Sequence, residues 1–471
     1  MTGAADIVGA SDPNPHGDAP MSPPGGRGLA VRHLWLAVPF LGIAWRSVYP
    51  IGDNSFLWHV RAGEVQLASG EVLRVDPFSF THLGEPWRTQ SWLIELMYGW
   101  LHELTGGLQW VPTMLFLVVG GTLGFVGLAI YHAVRDPLRT AVLLAVVAWV
   151  GSFFAVPRPV VASFLLLAVA TVIVQHSERA GWAVVPLLWL WAAVHGSFVL
   201  GVGYLVLESL RRRSRRLGEL TTLGAAVTLL TAHGFGAWQI FVDFLRSRDA
   251  LSYLSEWARP DFTDVFLAPA LLVGALVVVA FLRRRLALGA LVVAVPFAVF
   301  GAMAQRSVFP AVIVVVPLAA AAWSRDGSRT RAPLGSSMLN RTMAGVFAAL
   351  SLIALARPVG FNEVKLPPPE VLAALEPGRV FAGPAAGGML IYADWQDRMV
   401  YIDDRAELYG SEGFREAVAA LEGRDYRDVL AALDMEQALL EARWELVEAL
   451  RTDGWTTTFE NADWVVLAAP R

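Results

Sequence analysis

The chain has 471 residues, of which 55% are hydrophobic and only 17% charged, with a formal net charge of −4 and a mean hydropathy of +0.50. Ordinary soluble chains carry about 25% charged residues, so the composition argues against one water-soluble core enclosing an active site, excludes collagen-like, coiled-coil and wholly disordered chains, and gives no basis for nucleic-acid binding. The absence of cysteine removes disulfide frameworks, thiol catalysis and Cys-ligated zinc.

Residues 1–28 are rich in Gly, Pro and Asp and read as a disordered cytoplasmic tail, not a signal peptide. Apolar runs then recur at 29–50, 108–132, 138–157, 159–176, 181–196, 197–210, 217–234, 264–282, 286–304, 307–323 and 341–356. A spanning helix needs about 20 apolar residues, so these runs predict about eleven spans. The fifth and sixth are short and meet at His195-Gly196, as two spans or one re-entrant pair. Arginines gather in alternate loops: Arg135 and Arg139, Arg179, the run Arg211 to Arg216, Arg283 to Arg285, and Arg325 to Arg331. Positive residues favour the inner side, which places the N-terminus inside and the C-terminus outside.

Three non-spanning pieces remain: a long first outer loop at 51–107, a second at 235–263, and a tail at 358–471 that begins with the prolines 367–369 as its linker. In the tail, Arg379-Val380-Phe381, Met399 to Ile402 and Trp464 to Leu467 predict strands, and Glu412–Leu421, Tyr426–Leu433 and Trp444–Leu450 predict helices. Alternation of this kind implies a small α/β domain. The expected fold is therefore mainly α: a polytopic transmembrane helical bundle over 29–357, with an extracytoplasmic α/β domain over 358–471.

The first outer loop is crowded with Trp and Phe, as in segments that lie in a bilayer interface. Asp53, just after the first expected span, is placed to take a proton from an acceptor hydroxyl or to ligate a divalent metal, Mg or Mn, beside a phosphate. Equally, it can cap the helix that follows. Trp58, His59 and Trp92 are candidates for substrate contact, and Arg61 reads as interfacial. Asp76 precedes Pro77 and suits a turn.

Polar residues also punctuate the outer ends of the expected spans: Arg158 in Pro157-Arg158-Pro159, His195, His233 and Arg306. The planar guanidinium fork suits a phosphate, so Arg158 and Arg306, with His195, are candidates to hold a lipid phosphate. The alternative is that each arginine snorkels from a span end. Glu256 and Asp261 in the second outer loop offer a second acid site or a solvated loop. Asp403, Asp404 and Arg405 follow a predicted strand, where α/β sheets place binding residues, or form a salt-bridged turn. The nine histidines are scattered, and the sequence has no zinc motif, phosphate loop or nucleophile elbow.

The stretch Asp53, Trp58-His59, Gly63, Gly70, Asp76-Pro77-Phe78-Ser79, Trp87, Trp92-Leu93 and Glu95 resembles a group of bacterial polytopic membrane proteins similar to the C-type (GT-C) glycosyltransferase superfamily. Arg158-Pro159, His195-Gly196-Ser197, Ser255-Glu256-Trp257, Pro260-Asp261-Phe262, Arg306 and Tyr401 to Gly410 carry the same resemblance, in order, over most of residues 45–471. It implies transfer of a sugar from a polyprenyl-phosphate donor to an extracytoplasmic glycan, lipid or protein acceptor, with inversion and among membrane lipids. Asp53 would be the base or a metal ligand, and Arg158 and Arg306 would neutralise the leaving phosphate. Many members of the superfamily have two adjacent acidic residues at the loop start; here Asn54 follows Asp53, which opens the role of base to Asp76 or Glu95 as well.

Two other functions fit the same sequence. A transporter of lipid or glycan would be expected to show duplicated halves and polar residues at mid-span; here there is no duplicated half and the polar residues lie at outer ends. A non-enzymatic scaffold for envelope assembly needs only the aromatic loop and the tail as docking surfaces, with the charged residues splayed or paired off. An enzyme needs Asp53 within reach of a basic pocket.

Overall fold

The computed structural model describes residues 53–246, 255–283, 286–321 and 367–470, with the single positions Pro39 and Gly345. The expected tail at 1–28 and the expected spans at 29–50 and 341–356 lie outside the described stretches.

The first expected outer loop contains two packed helices, α1 (Ser55–Ser69) and α2 (Trp92–Thr105). They cross where Gly63 faces Gly99: a Cβ on Gly63 would lie 1.9 Å from the Glu95 carbonyl oxygen. Only glycine allows that backbone approach, and it brings His59 and Glu95, each one turn before its glycine, into contact. Phe56, Tyr98 and Trp110 pack edge-on or tilted at 5.2–5.8 Å and join this pair to the next helix. Trp58 and His59 are buried in this packing, not displayed as an interfacial surface.

Among the described residues up to 321, ten longer helices follow: α3 (Val111–Val134), α4 (Pro137–Phe153), α5 (Val160–Gln175), α6 (Val184–Val194), α7 (Phe198–Arg212), α8 (Arg215–Val227), α9 (Gly236–Arg246), α10 (Ala268–Leu282), α11 (Leu291–Met303) and α12 (Val308–Ala321). Local chemistry sets several ends. Asp136 caps α4 by accepting the Arg139 N–H at 2.9 Å, with Pro137 in the first turn, and Ser214 caps α8 through the Leu217 N–H at 3.2 Å.

The expected eleven-span bundle is corrected by these lengths. Among the described residues, α3 alone is a single helix long and apolar enough to cross a membrane. The stretch Val160–Gln175 with Ser177–Val194 passes the same test only as a pair, and is bent by 106° at its break. The other apolar helices have 10–17 residues. At about 1.5 Å of rise per residue, a 15-residue helix covers roughly 22 Å, short of a hydrocarbon core of about 30 Å. The expected runs do break at Pro157-Arg158-Pro159, His176 and His195-Gly196-Ser197, as the helices do; the error lay in counting each short run between breaks as a span. An apolar run is also what a helix buried on most sides looks like, and α12 is such a helix, with Val308 through Pro317 all buried.

The C-terminal part is an α/β layer domain. After the short helix α13 (Pro369–Ala373) come β1 (Gly378–Ala382), α14 (Pro384–Asp394), β2 (Arg398–Val400), α15 (Ala406–Leu421), α16 (Tyr426–Ala432), β3 (Gln437–Glu441), α17 (Glu445–Thr452), β4 (Thr456–Glu460) and β5 (Trp464–Ala468). The sheet order is β2-β1-β3-β5-β4. The first three strands are parallel, with Val380 opposite Val400 and Phe381 opposite Ala438, and β5 runs antiparallel to β3 and β4, with Leu440 opposite Val465. Burial of consecutive residues in β1, β3 and β5 marks strands covered on both faces; β4 alternates, as an edge does. The sequence reading anticipated β1, β2, β5, α15, α16 and α17, and missed β3, β4 and α14.

This domain shares a core with the helices. Val380, Leu390, Val400 and Trp464 belong to the same buried cluster as Phe56 and Trp58. The loop before α2 extends the sheet: the Phe80 N–H donates to the Val400 carbonyl at 3.1 Å, and Ser79 pairs with Val400 as a parallel bridge. The carboxyl end of β2 is thereby held against the start of α1.

Candidate active site

Asp53 stands immediately before α1. Its Oδ1 accepts the Ser55 N–H at 2.9 Å, which is the capping role, and its Oδ2 accepts from Arg158 Nε at 2.6 Å, which makes it an ion pair. Arg158 sits between two prolines that keep it out of α5. Its Nη1 donates to Glu256 Oε2 at 2.8 Å, and Glu256 Oε1 accepts from Arg306 Nη1 at 3.0 Å. The Arg306 guanidinium lies 4.3 Å from the centre of the Trp257 ring. Four segments far apart in sequence thus place Asp53, Arg158, Glu256 and Arg306 in one chain of charge-assisted bonds.

Asp404 closes the cluster from the C-terminal domain. It follows β2 and accepts from three groups at the start of α1: Asn54 Nδ2 at 3.2 Å, Trp58 Nε1 at 2.8 Å and, closely, the Ser55 hydroxyl. Two guanidiniums therefore stand among three carboxylates. Burial pushes the Asp404 carboxyl up to about 6; Arg158 opposes this, while Asp403 and Asp53 add to it. For Glu256 burial acts in the same upward direction, but Arg306 and Arg158 outweigh it and hold the group below the ordinary carboxylate range. Arg158 is raised above its usual value: burial works against its charge, and Asp53 and Glu256 more than compensate.

His195 stands at the break between α6 and α7. Burial, with Arg306 and His59 nearby, lowers its pKa to about 3, so the ring is neutral. Its Nδ1 accepts the Ser197 N–H at 3.0 Å, which assigns the ring proton to Nε2 and makes that atom a donor.

The remaining expected site residues fall into two buried networks. In the first, Asp76 is fully buried and accepts from Phe78 N–H (3.1 Å), Ser79 N–H (3.0 Å), the Ser79 hydroxyl and Arg405 Nη1 (2.6 Å). That is the turn reading, and it leaves no exposed oxygen for catalysis. Arg405 is 1% exposed. It forks onto Asp403 through Nε (2.8 Å) and Nη2 (2.6 Å) and lies 4.6 Å from the Trp87 ring. The expected substrate contact at Arg405 is therefore corrected to a salt-bridged turn.

In the second network Glu95, also fully buried, accepts from His59 Nδ1 (2.7 Å), Gln66 Nε2 (3.0 Å) and the Thr89 hydroxyl. Its complete burial, where Asp404 is only half-buried, corrects the expectation that it shares the role of base. His59 stacks on Trp58 at 3.6 Å and so borders the Asp404 cluster. Trp92 opens α2 with a buried indole N–H that has no partner among the described residues, and it has no hydrogen bond to the cluster. Arg61 bonds the Tyr392 carbonyl at 2.6 Å and pairs with Glu64; His233 bonds the Thr89 carbonyl at 2.7 Å; Asp261 closes a turn on Thr263.

Sequence reasoning did not single out Asn54, Ser55, Gln66 or Thr89 as partners of these carboxylates. The available signal was their position as polar residues in an otherwise apolar and aromatic stretch. Among the described residues no group of three or more His, Asp or Glu side chains is arranged to hold a metal ion, and Asp53 has Arg158 where a metal would need to be. The expected Mg or Mn does not fit this set.

A scan against models of known protein families and a search of curated proteins both return no match for this chain.

Proposed function

We propose that this chain is a membrane glycosyltransferase that moves a sugar from a polyprenyl-phosphate donor to a glycan, lipid or protein acceptor by inverting displacement. The observation that carries the reading is the convergence of Asp53, Arg158, Glu256, Arg306 and Asp404. In it, Arg158 and Arg306 receive the phosphate and neutralise charge as it develops on the leaving oxygen. Asp404, which has no direct ion pair with an arginine among the described residues and whose carboxyl is raised to about 6 chiefly by burial, takes the proton of the acceptor hydroxyl. That oxygen attacks the anomeric carbon from the face opposite the phosphate; the bond from the anomeric carbon to the phosphate oxygen breaks, and its electron pair leaves with the phosphate. Asp53 is a positioning residue, because its Oδ2 is paired with Arg158 at 2.6 Å and its Oδ1 caps α1.

The chemistry is proposed for the outer face of a bacterial cytoplasmic membrane, with the C-terminal domain on that side; among the described residues α3 is the helix long and apolar enough to anchor the chain. One observation favours a second reading, the envelope scaffold: the arginines of the cluster are paired with carboxylates of the same cluster.

The test is transfer from a panel of radiolabelled polyprenyl-phosphate sugars by membranes holding wild type or Asp53→Asn at equal expression. Wild type is expected to transfer, and the variant to lose roughly 10²-fold in kcat/KM, with a raised KM for donor and an unchanged KM for acceptor. Transfer by neither protein across the panel sinks the enzyme reading in favour of the scaffold.

A further inference from the structure

α5, α7 and α12 all begin beside the Asp53–Arg306 cluster. About 24 Å further on, at 1.5 Å of rise per residue, they end around a second cavity of about 360 Å³. Its lining includes Arg135 from the end of α3 and Arg211 and Arg212 from the last turn of α7, with Val314 and Leu318 of α12 as an apolar wall.

Arginines at helix C-termini ordinarily offset the terminal carbonyls. Arg135 does so, with Nε on the His132 carbonyl at 3.2 Å. Arg211 and Arg212 do not. Both turn to Glu208, which is 1% exposed: Arg211 through Nε (3.0 and 2.9 Å) and Nη2 (2.6 Å), and Arg212 through Nε (2.9 Å). One buried carboxylate thus orients two guanidiniums, and one positive charge is left over. Among the described residues, Arg211 Nη1 and both terminal nitrogens of Arg212 make no hydrogen bond. These are donors held in place at a cavity wall and not taken up by the protein.

We propose that this cavity is a second anion site, distinct from the transfer cluster, which binds a phosphate group through Arg212 and Arg211 with Glu208 as the positioning carboxylate. The planar forks match phosphate oxygens, and the wall from α12 suits a phosphate that carries an apolar moiety. An anionic phospholipid headgroup and a free phosphate share this chemistry.

Full-length protein in detergent is titrated with phosphatidylglycerol and phosphatidylcholine, followed by native mass spectrometry, and with radiolabelled inorganic phosphate in equilibrium dialysis. Arg212→Gln leaves Arg211 on Glu208, so the buried carboxylate keeps a partner. It is expected to weaken anion binding tenfold or more, while Arg215→Gln, at a side chain 94% exposed, changes nothing. Binding of phosphatidylglycerol without inorganic phosphate supports the site and identifies a lipid headgroup; binding of both supports it and identifies the phosphate alone. Equal binding of phosphatidylcholine, equal affinity of wild type and Arg212→Gln, or no anion binding overturns it. A salt titration of wild type needs no variant: affinity is expected to fall several-fold as ionic strength rises, and salt-independent binding also overturns the site.

Discussion

Asp404→Asn is expected to lower the rate of sugar transfer by about 10² to 10⁴, the range for loss of a positioned proton acceptor. The exchange preserves shape and removes the charge. The pH profile separates this role from a structural one. The wild-type carboxyl is raised to about 6, chiefly by burial, and the active form is the ionised one. Transfer by wild type is therefore expected to rise with pH through about 6 and to level off above it, because the fraction ionised grows with pH. In Asp404→Asn that rise should be absent. A variant that transfers at the wild-type rate, or that retains the rise near pH 6, would move the base elsewhere in the cluster.

Arg405→Ala is expected to destabilise the protein by about 3–5 kcal/mol, the cost of leaving one side of a buried ion pair without its partner. The Arg405, Asp403 and Asp76 side chains are all fully buried, so the two carboxylates would have neither water nor a counter-charge. Because Asp76 lies in the loop before α2 and Asp403 follows β2, the loss should also loosen the C-terminal sheet from that loop. Denaturant or thermal unfolding in detergent reads the effect. Arg215→Ala, on the surface, should fall within about 0.5 kcal/mol of wild type. A shift below 1 kcal/mol for Arg405→Ala would mean that the triad contributes little to holding the domain in place.

Much of the candidate site could be read from residue types. Asp53, Arg158, Glu256 and Arg306 drew attention because charges are costly in apolar surroundings and are retained where they have partners or a task. For Asp53 the sequence offered a base, a metal ligand or a cap; in the structure one carboxylate oxygen caps α1 and the other is paired with Arg158, a partner the sequence did not name. What the sequence did not carry was the sorting. Asp76 and Arg405 could each be read as part of a turn, but only tertiary packing puts Asp76 under Arg405 and Glu95 under His59, Gln66 and Thr89.

The helix lengths were misread for a related reason. Hydropathy marks an apolar run whatever its length, so the runs that end at Pro157, His176 and His195-Gly196 were counted as spans although the helices between them are mostly shorter than the roughly 20 residues a bilayer needs. In the C-terminal domain, β3 (Gln437–Glu441) and α14 (Pro384–Asp394) were missed because each is a short apolar run whose periodicity does not separate a buried strand from a buried helix. The crossing of α1 and α2 at Gly63 and Gly99 left a trace in the sequence, two glycines inside helical runs, without naming the partner of either.

In the proposed reaction Arg158 and Arg306 hold the lipid phosphate. The most direct measurement is equilibrium binding of a polyprenyl phosphate without sugar to the full-length protein in detergent, comparing wild type, Arg306→Gln and the surface control Arg415→Gln, whose side chain is 66% exposed. Wild type and the control are expected to bind saturably, and Arg306→Gln with affinity lower by tenfold or more, in keeping with about 1.5–3 kcal/mol for a hydrogen bond to a charged group. Equal affinity across the three proteins, or no binding by wild type, would contradict it.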